Sequence, residues 1–126
     1  MDSYSEKKLS IRPRLTAIER NEGMTGDEEF QNGTLRPILK MQNDLLYLMV
    51  KAFLKMKKNV FYNLENAKRE DYIKNNLLTD RMVIHELRGL IIGLFTTAEL
   101  EYFIENKAAI NKRIQSLLLQ RIMSFL

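Results

Sequence analysis

A single histidine, His85, is the residue best suited to metal binding or proton transfer in this cysteine-free chain of 126 residues. Such a site needs carboxylates or further ligands around the imidazole. Glu86 projects about 100° away from His85 on a helix, and helical di-metal sites place a glutamate three residues before the histidine, where this chain has Met82. We therefore interpret His85 as structural or solvent-facing, with a binding role as the alternative, and expect no catalytic, metal or cofactor site.

A polar pocket is the arrangement that an enzyme or a small-molecule binder would need here. Gln42 interrupts an otherwise apolar helix face, so its amide needs a backbone or water partner, or a matching group in a second copy. Gln42 and His85, together with Tyr102, are the candidate lining residues. This pocket is the first alternative function.

A lysine cluster could bind anions at the end of the longest predicted helix. Six basic residues and one acidic residue lie between positions 34 and 60. The candidate anion contacts are Lys51, Lys55, Lys57 and Lys58. Because no exposed aromatic residues or basic recognition helix accompany them in the sequence pattern, a solvated face is favoured, and nucleic-acid binding is a further alternative.

Two glycines lie four residues apart, Gly89 and Gly93, within an apolar helical pattern. Each glycine costs about 1 kcal/mol relative to alanine inside a helix, so close packing of another helix would compensate. The packing partner is either internal or a second copy. A phosphate-binding loop is not favoured, since no predicted strand precedes the pair and no Gly-Lys-Ser/Thr follows it.

The element expected to position these groups is one long amphipathic helix over residues 34–57. Thr34 is its predicted N-cap, and Pro37 falls in its first turn, where a missing N–H costs nothing. Gln42, Met49 and Phe53 on this helix are further candidate packing or interface residues. The predicted buried face comprises Leu35, Ile38, Leu39, Leu45, Leu46, Met49, Ala52, Phe53 and Met56.

Further helices are predicted on either side. A helical turn over 27–32 ends at Gly33, and Val60, Phe61 and Tyr62 form an extended connector that contributes aromatic rings to the core. A helix capped by Asn63 or Asn66 follows, and Thr79 or Asp80 caps the next. Thr96 and Glu99 form a capping box, and the helical stretch that follows is either one helix or two helices divided near Asn106.

The resulting fold class is all-α: a compact bundle of roughly four to six helices around the long central helix. Residues 1–26 are predicted to be a flexible N-terminal arm, parts of which could dock through Leu9, Ile11, Leu15 and Ile18. Residues 27–126 are predicted to form a single helical domain. The absence of cysteine, of an apolar signal-peptide core and of a run long enough to span a membrane leads us to expect a cytoplasmic protein without membrane contact.

The segment Glu29-Phe30-Gln31-Asn32, followed by Thr34-Leu35-Arg36-Pro37-Ile38-Leu39-Lys40, resembles the opening of a family of small uncharacterised bacterial proteins. The likeness extends through Gly89-Leu90-Ile91-Ile92-Gly93 and Asn111-Lys112-Arg113, so it covers roughly residues 27–120. Such proteins often carry the label glyoxalase. Glyoxalase-type metal sites use paired βαβββ modules with several ligands on strands, whereas this chain has one histidine on a predicted helix.

The function expected from these features is non-enzymatic and depends on protein association, through a homodimer or a helical partner. The wide apolar arc of the central helix and the glycine pair are the reasons, because a helix that is apolar over most of its circumference is usually surrounded by protein.

Overall fold

The computed structural model describes residues 2–13 and 26–126, and every regular element within these ranges is helical. The all-α prediction is therefore confirmed. The helices are α1 (Ser3–Ile11), α2 (Gly26–Phe30), α3 (Arg36–Met41), α4 (Asn43–Met56), α5 (Asn66–Tyr72), α6 (Arg81–Ile92), α7 (Thr97–Glu105) and α8 (Lys107–Phe125). No helix in these ranges is both long enough and apolar enough to cross a bilayer.

The segment predicted as one helix starting at Thr34 begins earlier. α2 runs into a π-helical turn over Gln31–Leu35, which leads directly into α3. The predicted N-cap role of Thr34 is wrong, because Thr34 is buried inside this continuous helical stretch. The predicted stop at Gly33 is also wrong: no described glycine has a positive φ, which a glycine C-cap requires.

The π-helical turn has an identifiable cause in Pro37. In a regular α-helix the proline ring would clash with the carbonyl group four residues before it, at Gly33. The wider turn, in which the Arg36 N–H donates to the Gln31 carbonyl, keeps the chain helical up to the proline. The same turn allows Phe30 and Leu35 to be buried together.

A bend at Gln42 separates α3 from α4 and changes which face of α4 is buried. Gln42 has φ −89° and ψ 7°, outside the helical range. The buried residues of α4 are Leu46, Val50, Phe53 and Leu54. The prediction that Leu45, Ala52 and Met56 belong to the buried face is wrong, because all three are exposed.

α4 ends in a Schellman motif that places a lysine in a left-handed conformation. The Asn59 N–H donates to the Leu54 carbonyl at 2.8 Å, and the Lys58 N–H donates to the Lys55 carbonyl at 2.9 Å. These are the two hydrogen bonds of the motif, which usually has glycine where this chain has Lys58. Lys58 has φ 60° and Asn59 has φ 56°.

Replacing Lys58 with glycine is therefore expected to stabilise the protein. The left-handed region costs a non-glycine residue at least about 1 kcal/mol, which exceeds the entropy that glycine adds to the unfolded chain. We expect Lys58→Gly to raise the free energy of unfolding by about 0.5 kcal/mol in a urea titration. Asn59→Gly should gain less, because asparagine tolerates this region. Lys57→Gly, at φ −88°, should give no gain, and equal gains at positions 57 and 58 would contradict this explanation.

The connector after α4 is a 3-10 turn over Val60–Asn63 and not the extended loop predicted. Phe61 is nonetheless buried, as expected, while Val60 and Tyr62 are exposed. Glu65 stands at the N-cap of α5 without a side-chain bond, so the predicted asparagine caps are wrong. A second π-helical turn over Ile73–Leu77 follows α5.

The remaining helices begin and end close to the predicted signals. The Asp80 carboxylate accepts from the Val83 N–H at the start of α6, and Thr96 and Glu99 form the complete capping box at the start of α7. Asn106 separates α7 from α8. α8 packs against α3, α4 and α7, and α6 packs against α4. The buried stripe of α8 is Ile110, Ile114, Leu117, Leu118 and Ile122.

α1 is a helix that the sequence analysis did not predict. The Asp2 carboxylate caps it by accepting from the Ser5 N–H at 2.7 Å. Leu9 and Ile11, which were expected to dock, are exposed. Leu15 and Ile18 lie outside the described residues, so the flexibility of the arm over residues 1–26 stays a prediction.

Candidate functional site

The outward side of α4 exposes apolar side chains in a continuous stripe. Leu45 is 48%, Leu48 62% and Met56 64% accessible to solvent, and Ala52 between them is exposed as well. Successive members of the stripe are three or four residues apart, a spacing that keeps all of them on one face of a helix. We call Leu45, Leu48, Ala52 and Met56 the outer face of α4. α4 is apolar on its outward side as well as on its core-facing side. A helix with this composition is usually covered by protein on both sides.

The polar residues at the edge of the outer face are of opposite charge. Asp44 and Lys51 are both exposed and are seven residues apart, so they lie along the same edge of the helix, next to Leu45 and Leu48. The Lys51 ammonium lies 5.2 Å from the centre of the Tyr47 ring. The predicted interface residues are divided between the two sides of α4: Met49 is half-buried at the boundary, whereas Phe53 is 3% exposed and belongs to the core.

Gln42 has an internal partner. Its Nε2 donates to the carbonyl of Leu90 at 2.8 Å, linking the start of α4 to the C-terminal part of α6. This confirms the expectation that the amide finds a backbone acceptor. The buried polar group is thereby satisfied without a second copy of the chain.

The other two residues of the predicted polar pocket lie in separate settings. His85 is exposed on α6, and the Tyr102 hydroxyl on α7 donates to the Asp27 carboxylate at 2.5 Å. This hydrogen bond, with desolvation and the negative charge of Asp27, raises the pKa of Tyr102 to about 12. Among the described residues no hydrogen bond joins any two of Gln42, His85 and Tyr102, so the structure does not assemble the pocket from these three.

The glycine pair lies on the surface of α6. Both Gly89 and Gly93 are exposed, and a Cβ atom built on Gly89 would meet no atom within 4 Å. The expected close internal packing is therefore absent from the described part of the chain. The nearest feature from another helix is the Tyr4 hydroxyl of α1, which donates to the Gly93 carbonyl at 3.5 Å.

The lysines at the end of α4 do not converge on one point. Lys51 and Lys55 border a shallow groove of about 490 Å³ together with Tyr62, an exposed aromatic residue that the sequence pattern did not associate with them. Lys57 instead lies over the Phe53 ring, 5.7 Å from its centre. Lys58 is held in the left-handed turn.

A polar cluster around Glu99 is the most densely bonded part of the described structure, and the sequence analysis identified only its capping box. The guanidinium of Arg12 donates to both carboxylate oxygens of Glu99, at 2.6 and 2.7 Å. The Thr34 hydroxyl donates to Glu99 at 2.6 Å, and the Thr96 N–H donates to it at 2.8 Å. Glu99 therefore joins α1, the π-helical turn and α7.

Thr97 and Asp2 extend this cluster at the start of α1. The Thr97 hydroxyl donates to Asp2 at 2.7 Å, and the Thr97 N–H donates to the Ser5 hydroxyl at 3.1 Å. The hydrogen bonds from Ser5 and Thr97 hold the pKa of Asp2 below its ordinary value. α1 is thus held by polar contacts, which explains why its apolar residues can remain exposed.

Acid should weaken the fold through Glu99. Burial raises the pKa of Glu99, but hydrogen bonds from Arg12, Thr34 and Thr96 outweigh it, and the net pKa lies below the ordinary 4.5. A depressed pKa contributes stability that is fully present above about 4.5 and is lost as the pH falls through the folded-state value. We expect the difference in unfolding free energy between wild type and Glu99→Gln to be constant from pH 7 to 5 and to shrink from pH 4 to 3. A difference independent of pH would contradict this.

The described residues contain no group of three or more His, Asp or Glu side chains that could hold a metal ion. No protein-family model, no curated protein and no solved structure matches the chain. The likeness to a small bacterial family stays a prediction.

Proposed function

We propose that this chain acts by self-association, pairing the outer face of α4 with the same face of a second copy. The observation that carries the proposal is the exposed stripe of Leu45, Leu48, Ala52 and Met56 on a helix whose opposite side is already buried. Burying an exposed leucine contributes about 1.5–3 kcal/mol, and a two-fold axis counts every contact twice.

The charges beside the stripe favour an antiparallel pairing of the two α4 helices. In the register that places Leu45 of each copy opposite Leu48 of the other, Asp44 of each copy comes next to Lys51 of the other. This register pairs the N-terminal half of the outer face, and Ala52 and Met56 extend past the start of the other copy's α4. This arrangement is self-complementary, as a two-fold interface requires. In a parallel pairing, Asp44 and Lys51 would be separated by two turns of helix and would not meet.

The expected dimer is of moderate affinity. A pairing of two single-helix faces buries less surface than the large apolar interfaces of obligate dimers. We expect a dissociation constant in the micromolar range, roughly 1–100 µM. A cysteine-free chain suits the reducing cytoplasm, where we propose that the dimer forms.

Sedimentation velocity of the full chain between about 1 and 300 µM tests self-association directly. A concentration-dependent shift from monomer to dimer is expected. A single monomeric species over the whole range would overturn the proposed function.

Charge exchange tests the antiparallel geometry. Asp44→Lys alone and Lys51→Asp alone each place like charges together at two symmetry-related positions. Each single variant is expected to weaken dimerisation about three- to tenfold at low salt, given the modest strength of exposed ion pairs. The double variant should recover wild-type affinity. If the loss of dimer affinity in the double variant equals the combined losses of the two single variants, the copies do not pair in this way.

A further inference from the structure

A cleft between α3 and the C-terminal half of α8 collects positive charge. It has a volume of about 400 Å³. Leu39 and Leu117, both buried, form its floor. Arg36 and Lys40 border it from α3, and Arg121 borders it from α8. The sequence analysis did not associate these residues, which lie some 80 positions apart in the chain.

The two arginines are held in place by neutral groups. The Nε of Arg36 donates to the side-chain oxygen of Asn32 at 3.0 Å, and a terminal nitrogen of Arg121 donates to that of Asn43 at 3.3 Å. Both arginines are half-buried. An amide oxygen orients a guanidinium but leaves its charge uncompensated, and each of these bonds uses only one of five N–H donors.

The charges around the cleft are not balanced from either helix. Arg36 and Lys40 are four residues apart on one helix face, a spacing at which like charges repel. Residues 106–126 contain Lys107, Lys112, Arg113 and Arg121 and no acidic residue.

Two described cations elsewhere in the fold have carboxylate partners. Arg12 pairs with Glu99, and Lys74, which borders the neighbouring groove on α8, pairs with Glu70 at 3.5 Å. Within the described residues no ion pair involves Arg36, Lys40 or Arg121. The first acidic residue after α3 is Asp44, which is exposed at the edge of the outer face of α4. Arg36, Lys40 and Arg121 therefore border one cleft without a described carboxylate partner, and a bound anion would compensate their charge.

We infer that this cleft binds a small organic phosphate, with the phosphate group between Arg36 and Arg121 and the organic part against Leu39 and Leu117. A guanidinium presents paired donors that match the oxygens of a phosphate. Arginine therefore suits positions 36 and 121 better than lysine would. A volume near 400 Å³ is at the lower end of the range for small-molecule sites and exceeds what inorganic phosphate needs. The apolar floor favours an ester over the free ion.

Isothermal titration of the full chain with phenyl phosphate tests the inference, with inorganic phosphate and sodium chloride at matched ionic strength as references. We expect saturable binding of phenyl phosphate that is tighter than binding of inorganic phosphate, and no saturable response to chloride. Arg36→Gln and Arg121→Gln are each expected to weaken binding at least about tenfold, because each removes a charge-assisted hydrogen bond. Lys74→Gln is the matched control and should leave the affinity unchanged.

Asn43→Asp separates loss of charge from loss of structure. Residue 43 begins α4, where an acidic side chain is favourable to the helix, so the fold should be retained. The new carboxylate keeps the bond to Arg121 but neutralises its charge, and a loss of affinity close to that of Arg121→Gln is expected. Unchanged affinity in Asn43→Asp and Arg121→Gln would overturn the inference. So would the absence of saturable phenyl phosphate binding by the wild-type chain.

Discussion

Replacing Glu99 with alanine should reduce the free energy of unfolding by about 3–5 kcal/mol, the largest loss expected from any single polar residue described here. The loss is large because the side chain of Arg12 is only 7% exposed and would become a buried charge without a carboxylate partner, keeping only its hydrogen bond to the Leu94 carbonyl. The Thr34 hydroxyl and the Thr96 N–H would lose their acceptor at the same time. Urea titrations of wild type and variant measure the difference.

Two comparisons distinguish the ion pair from the helix cap. Glu101→Ala, on an exposed position of the same helix, should change stability by less than about 0.5 kcal/mol. Arg12→Met leaves Glu99 bonded to Thr34 and Thr96 and should cost less than Glu99→Ala. A cost near 1 kcal/mol for Glu99→Ala would match the loss of a cap alone and would contradict a stabilising contact between α1 and α7.

Leu48→Glu should weaken dimerisation by about a hundredfold or more. Each dimer loses two leucine side chains from its centre, at about 1.5–3 kcal/mol each, and gains two carboxylates that must be desolvated. Because Leu48 is 62% exposed in the single chain, its replacement should leave the stability of the monomer nearly unchanged. Sedimentation velocity measures the dimer affinity, and urea titration measures the stability of the monomer.

Ile104→Glu is the matched control for this variant. Ile104 is 61% exposed on α7, so the substitution adds the same charge at an equally exposed apolar position. It should dimerise like the wild type. Equal weakening by the two variants would indicate a general effect of charge and would contradict a specific role for the outer face of α4.

The elements that could be predicted from the sequence are those fixed by neighbouring residues. Asp80 caps α6 and Thr96 with Glu99 caps α7 because each bond spans three residues, and the sequence contains all the information needed. The buried stripe of α8 is likewise set by local sequence, since an uninterrupted helix keeps its period from Ile110 to Ile122.

The face of α4 could not be predicted because the helix is apolar on two sides. Leu46 and Phe53 are buried as predicted. Past the bend at Gln42 the buried set also includes Val50 and Leu54, and Leu45, Ala52 and Met56 lie on the outer face instead of in the core. Periodicity assumes one continuous axis and cannot locate such a bend. The hydrogen bond from Gln42 to Leu90, which fixes the bend against α6, joins residues 48 positions apart.

The polar sites were missed because their partners are distant in sequence. Arg12 and Glu99 are 87 positions apart in the chain, and Arg121 and Asn43 are 78 positions apart. One signal was present: the last 21 residues carry four basic and no acidic side chains. Such an imbalance is compatible with a solvated face, a bound anion or a partner surface, and it does not tell which residues on other helices lie beside it.

The π-helical turn before Pro37 also makes the helix tolerant of a change in length. Phe30 and Leu35 are five residues apart, a spacing that a regular helix would place about 140° apart around its axis. Removing the exposed Gly33 together with the ring of Pro37 would bring them to a spacing of four, which an ordinary helix aligns. Related chains that lack both one residue here and the proline can therefore keep the same interior, so alignments of such chains should allow a gap within this helix and not only in its loops.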